Sequence, residues 1–141
     1  MLIGDGWKID EIRERVNNYN ISDNVIFAGL QSETYKYYSA FDLFVFPSLF
    51  EGLAFTLIEA QANGLFCICS IGISKECKLT DSDNVFFVPL DIKKWIDLII
   101  KLEVPERYNC EKDIIEKGYD IIEESKKLEE YYIEITRDIC V

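Results

Sequence analysis

Residues 43–70 read "LFVFPSLFEGLAFTLIEAQANGLFCICS", and their pattern decides the fold class. "LFVFPS" is a continuous apolar run ended by Pro47, which offers no backbone donor to a ladder and marks where a strand stops. "AFTLIEAQANG" reads as a helix closed by Gly64, the residue type best suited to a helix C-terminus. "LFCICS" is solidly apolar again. Unbroken apolar strands separated by helices belong to a parallel sheet covered on both faces, because each strand must bury both of its sides. The same stretch places Glu51 and Glu59 where no base is near: there is no Lys or Arg between Lys36 and Lys75.

Outward from this centre the chain keeps alternating. "MLIG" reads as the tail of a buried strand, and "WKIDEIRERVNNY" carries Ile9, Ile12 and Val16 at helical spacing with charge on the other face. "NVIFAG" reads as a strand, and "SETYKYYSAF" as a short helix with Ser32 as N-cap and Tyr35 and Tyr38 inward. "NVFFVPL" is a further strand, after a polar loop at residues 71–83 in which "SKECKLTDSDN" is expected to be mobile over a site; "DIKKWIDLIIKL" is an amphipathic helix capped by Asp91. After Pro105 the chain reads as helical to its end, with Tyr131 and Tyr132 on a packing face. The expected class is α/β: a Rossmann-like, doubly wound parallel sheet over residues 1–104, followed by C-terminal helices over 105–141.

Composition narrows the function. A chain of 141 residues can bury a real core, and a net charge of −11 argues against non-specific binding to nucleic acid or an anionic membrane. Five cysteines (Cys67, Cys69, Cys77, Cys110 and Cys140) follow no framework spacing and read as buried or idle reduced thiols. The chain contains no His, so a zinc site is not expected, and Ser/His or Cys/His nucleophile pairs are excluded. No apolar run is long enough for a signal peptide or a membrane span. "IGDG" lacks the third Gly of a dinucleotide fingerprint.

In a doubly wound sheet a ligand sits outside the carboxyl ends of the strands, near helix N-termini. "PSLFEGLAF" lies at such an end. Gly52 lets backbone approach a ligand closely, and the unpaired first amides of the following helix form a seat for phosphate. Glu59, one turn inside that helix, leans back toward the same seat and could accept two neighbouring hydroxyls, as on a ribose. Glu51 in the loop would face whatever lies beyond the phosphate. Spacing alone favours a plainer reading, with Glu51 a solvated loop acid and Glu59 an acid placed favourably on the helix dipole.

The wording of the stretch shifts that balance. "FPSLFEGLAFTLIEAQANGLFCICS" resembles the donor-binding signature of the family-four retaining glycosyltransferases of GT-B fold, in which two glutamates separated by seven residues follow a Pro-Ser strand end and precede a Glu-Ala helix. The resemblance extends back through "NVIFAGLQSETYKYYSAFDLFVFPS" and "LIGDG", and forward to about Leu102. It implies that Glu59 holds the nucleotide ribose and that Glu51 meets the donor sugar near the reaction centre. It assigns the amides of Gly52, Leu53, Ala54, Phe55 and Thr56 to the pyrophosphate and sugar, and Gly29 and Leu30 to the uracil. It implies no metal and no cofactor, the UDP-sugar being substrate. The implied function is retaining transfer of a hexose to a glycan or lipid-linked acceptor in polysaccharide biosynthesis, in the cytoplasm or peripheral to the inner face of the membrane.

This sequence departs from the family's pattern at Ala54, where Gly or Pro is usual, at Phe66, where Pro is usual, and at its start. The family's donor domain opens with a strand and a loop carrying an Arg and a Lys, and it works beside an N-terminal acceptor domain; the resemblance therefore implies a chain inactive alone, lacking its first strand and inclined to self-associate. The competing expectation is a non-catalytic module that binds nucleotide or a partner chain. A receiver-like signalling domain fits less well, because the acidic cluster and late Lys it needs are missing.

Overall fold

The computed structural model describes residues 1–80, 83–104 and 106–139. They fall into two units, Met1–Tyr37 and Tyr38–Val141.

The second unit is built on three parallel strands, β1 (Leu43–Phe46), β2 (Phe66–Ser70) and β3 (Val85–Val88), in the order β1-β2-β3. Leu43 pairs with Phe66 and Cys67 with Val85, so the strands are in step and β2 is central. All five residues of β2 are buried, which is what an apolar strand without alternation requires. The period-2 geometry then sorts them. Cys67 and Cys69 go to one face, packed with Leu57 and Ala60 of helix α3 (Phe55–Ala62) and with Tyr38. Phe66 and Ile68 go to the other, packed with Trp95 of helix α4 (Ile92–Lys101) and with Leu98 and Leu102. A sheet of parallel strands covered on both faces is the α/β class expected.

Chain punctuation sets the ends of α3 and α4. Gly64 takes φ +71°, Leu65 N donates to Ala60 O at 3.1 Å and Gly64 N to Gln61 O at 2.7 Å, closing α3 with paired C-terminal hydrogen bonds. A side chain at Gly64 would run into the Tyr108 carbonyl, so the position needs Gly for space as well as for φ. Asp91 caps α4 as expected, accepting from Lys93 N at 3.0 Å. The Arg107 guanidinium donates to the carbonyls of Asn63 (2.8 Å), Ser39 (2.9 Å) and Phe41 (2.6 Å), satisfying acceptors left open after α3 and at the end of helix α2 (Thr34–Ala40).

After Pro105, which lies outside the described residues, the expected helical run is two helices, α5 (Glu111–Glu116) and α6 (Ile121–Ile139), separated by a turn at Gly118 with φ +77°. Tyr131 and Tyr132 are exposed and meet edge to face at 5.9 Å, so they do not form the expected packing face within this unit. Cys67, Cys69, Cys77 and Cys110 are free and buried, and Cys140 lies outside the described residues.

The first unit is thinner. Helix α1 (Ile9–Asn18) buries only Val16. "MLIG" and "NVIFAG" do run parallel, but as a single bridge at Leu2 and Phe27 instead of two strands. Gly4 at φ +115° and Gly29 at φ +67° leave the extended region and end the pairing as soon as it begins. Tyr38 is inward, whereas Tyr35 is exposed, its hydroxyl donating to Glu33 at 2.9 Å. The helix that carries both starts at Thr34, two residues after the expected cap at Ser32.

Candidate functional site

Beyond β1 the chain does not leave the sheet at once. Glu51 N donates to Gly72 O and Ser74 N to Glu51 O, both at 3.2 Å, which makes a parallel bridge between Glu51 and Ile73. The backbone of Glu51 is therefore fixed by pairing past the strand ends. Its side chain is fixed too, since Ser48 Oγ donates to Glu51 Oε1 at 2.9 Å. Ser48 is held in turn by the fully buried Ser70, whose hydroxyl donates to the Ser48 carbonyl and accepts from Gly72 N. Gly72 needs to be Gly, because a Cβ there would strike the Leu49 carbonyl.

Gly52 is different. A Cβ at this position would meet nothing within 4 Å, and its φ is not in the left-handed region. Nothing inside the fold asks for a glycine here, so open space beside the backbone is what the residue supplies. Helix α3 starts three residues later, with Ala54 as N-cap and no side-chain cap. Ala54 N donates to Cys77 Sγ at 3.2 Å, and the same thiol donates weakly to Gly52 O at 3.6 Å. Leu57 N turns back to Ala54 O at 2.9 Å. The amides of Gly52, Leu53, Phe55 and Thr56 have no acceptor among the described residues, and all four residues are exposed. Four free donors at the positive end of an uncapped helix attract an anion.

Glu59, the fifth residue of α3, is exposed. The Tyr38 hydroxyl hydrogen-bonds to its carboxylate, and burial together with that carboxylate pushes the Tyr38 hydroxyl well above the usual phenol range. Among the described residues neither Glu51 nor Glu59 is ion-paired. Glu51, Gly52 and Leu53 line an open pocket of about 660 Å³ together with Ile71–Ser74, Glu76 and Tyr119. Gly29 and Leu30 belong to the first unit, where Leu30 is exposed and Gly29 forms the end of the bridge.

Two partners of this loop carry no sequence signal: Cys77 and Gln61. Gln61 is fully buried; its amide nitrogen donates to Cys77 O at 2.7 Å and Leu57 O at 3.0 Å, and its oxygen accepts from Leu79 N at 2.8 Å. The described part of the loop expected to be polar and mobile, residues 71–80, is thus wired to α3, with Ile73, Cys77, Leu79 and Thr80 buried; residues 81 and 82 lie outside the described residues.

A strand end, a helix head with free amides and two acids that form no ion pair among the described residues are the parts found, and the family described as "Glycosyl transferases group 1" matches residues 1–103. The chain belongs to this family. EpsF of Bacillus subtilis (strain 168), named as a glycosyltransferase, is 32% identical over 85% of the chain and 32% of its own length. The Escherichia coli UDP-Gal:alpha-D-GlcNAc-diphosphoundecaprenol alpha-1,3-galactosyltransferase is 26% identical over 96% of the chain and 36% of its own length. Among solved structures, Anabaena Alr3699/HepE in complex with UDP superposes with a TM-score of 0.69 at 15% identity, covering 94% of this chain and 40% of that one. This likeness shows the fold, that of a GT-B glycosyltransferase. The chain spans about a third of the length of these curated relatives. Among the described residues no helix is long and apolar enough to cross a membrane.

Proposed function

We propose that this chain is the donor-binding part of a retaining glycosyltransferase that uses a UDP-linked hexose in polysaccharide or lipid-linked glycan synthesis. The observation that carries the reading is the uncapped head of α3, where the amides of Gly52, Leu53, Phe55 and Thr56 lie free beside the open space at Gly52. These four amides take the diphosphate, while the buried Ala54 amide, expected among them, stays on Cys77 Sγ. Glu59 accepts the ribose hydroxyls, with the Tyr38 hydroxyl steadying its carboxylate, and Glu51, oriented by Ser48, faces the sugar. Gly29 and Leu30 are proposed from the family pattern as the base contacts.

In a retaining transfer the acceptor hydroxyl attacks on the face that the diphosphate leaves. Charge then builds on the leaving oxygen, where preorganised helix-head amides act most strongly. Support for the donor comes from the Escherichia coli relative, whose name specifies UDP-Gal and an alpha linkage.

The test is calorimetry with a panel of nucleotides on the purified chain. UDP should bind in preference to the purine diphosphates, and Glu59→Ala should weaken it by ~1–3 kcal/mol through loss of charge-assisted hydrogen bonds. Equal affinity in the variant removes Glu59 from the site.

A further inference from the structure

The pocket beside Glu51 has a composition the fold does not account for. Phe50 is 79% exposed, Ile71 62% and Leu53 46%, an apolar rim left in water where burial would otherwise be favoured. Between these surfaces stand two carboxylates, Glu51 and Glu76, with no Lys or Arg among the lining residues. Tyr119 closes the pocket from the C-terminal segment. It follows the left-handed turn at Gly118, whose bonds from Gly118 N to Ile115 O and Tyr119 N to Ile114 O end α5 and hold Tyr119 in place. Glu76 sits in the short 3₁₀ turn Lys75–Cys77, which is fixed to α3 through Cys77 and Gln61.

Such a lining has a defined preference. Carboxylates accept pairs of hydroxyls, and apolar and aromatic faces pack on the C–H faces of a sugar ring. Two like charges in a partly enclosed space repel a further anion. The volume of about 660 Å³ lies within the range of small-molecule sites. We propose that this pocket selects the sugar of the donor by charge, accepting a neutral or amino hexosyl ring and excluding an anionic one, with Glu76 and Tyr119 acting as specificity residues beside Glu51. The inference rests on the reading that Glu51 faces the donor sugar, and it extends that reading to residues outside the loop.

The experiment compares UDP, UDP-glucose and UDP-glucuronate by calorimetry on the full chain and on its Glu76→Lys and Tyr119→Phe variants. UDP-glucose should bind at least as well as UDP, and UDP-glucuronate about tenfold more weakly than UDP-glucose. Glu76→Lys should shrink or invert that ratio, any gain for the UDP part being common to both sugars and cancelling from it. Tyr119→Phe should weaken UDP-glucose several-fold without moving UDP. Equal binding of the two sugars, or a ratio that Glu76→Lys does not move, overturns the charge selection while the donor site stands. If UDP fails to bind at all, the donor reading falls and this inference with it.

Discussion

The two units contain apolar residues in abundance but use them differently. In the first, Trp7, Ile12, Ile21, Ile26, Leu30 and Tyr35 are exposed and only Val16 is buried. In the second, β2 alone buries five consecutive residues, with α3 on one side and α4 on the other. Apolar content therefore does not decide stability here. What decides it is whether a strand has neighbours on both edges and both faces, because only then is surface removed from water. The candidate loop Ser48–Thr56 is attached to the well-buried unit, anchored by Ser70, Cys77 and the Glu51–Ile73 bridge. A site that must hold four amides in fixed directions gains from that anchoring.

Amide hydrogen exchange should show the contrast most strongly. Residues 66–70 and 57–61 should exchange near the limit set by global unfolding, and residues 1–20 orders of magnitude faster. Comparable protection in both segments would break the comparison. A smaller but sharper effect comes from paired truncations. Leu57→Ala in the fully buried α3 contact should cost ~2–5 kcal/mol in urea unfolding, whereas Val16→Ala should cost less than about 1.5 kcal/mol. A larger loss at Val16 would mean that the first unit carries more of the core than its burial shows.

Alkaline titration should separate the units more gently. Burial, and then the neighbouring Cys77, pushes the Cys69 thiol up to about 12 from 9.0. Cys67 is raised further by burial and by Cys69. The unfolded thiols ionise first, so the stability they lend is complete below pH 9 and is lost as pH rises through the folded values. The second unit should lose resistance to urea between about pH 9 and 12, and Cys69→Ser should flatten that slope. A slope that the variant leaves unchanged assigns the alkaline loss to other groups.

Much of this was legible in the sequence, for physical reasons that can be named. The unbroken apolar runs at 43–46, 66–70 and 85–88 all form strands, but only the central one is buried throughout, Val45 and Phe86 of its neighbours being exposed; Gly64 and Asp91 announce helix ends through backbone geometry and hydrogen bonding. "MLIG" and "NVIFAG" misled because local pattern reports propensity, while strand length depends on partners and on where Gly4 and Gly29 turn. In the site, Glu51, Gly52 and Glu59 announce themselves by motif. Cys77, Gln61, Glu76 and Tyr119 do not, since their roles arise from contacts between segments distant in sequence. Cys77 shows the limit well: nothing in "SKECKLTDSDN" says that its one thiol will accept from the Ala54 amide, just ahead of a helix begun more than twenty residues earlier.

The central claim is that the head of α3 binds the donor diphosphate through backbone amides, and UDP titration followed by backbone amide NMR tests it most directly. The account predicts saturable shifts centred on the amides of Gly52, Leu53, Phe55 and Thr56, lost together with affinity in Glu59→Ala. Saturable UDP binding that leaves these four amides unmoved would contradict it.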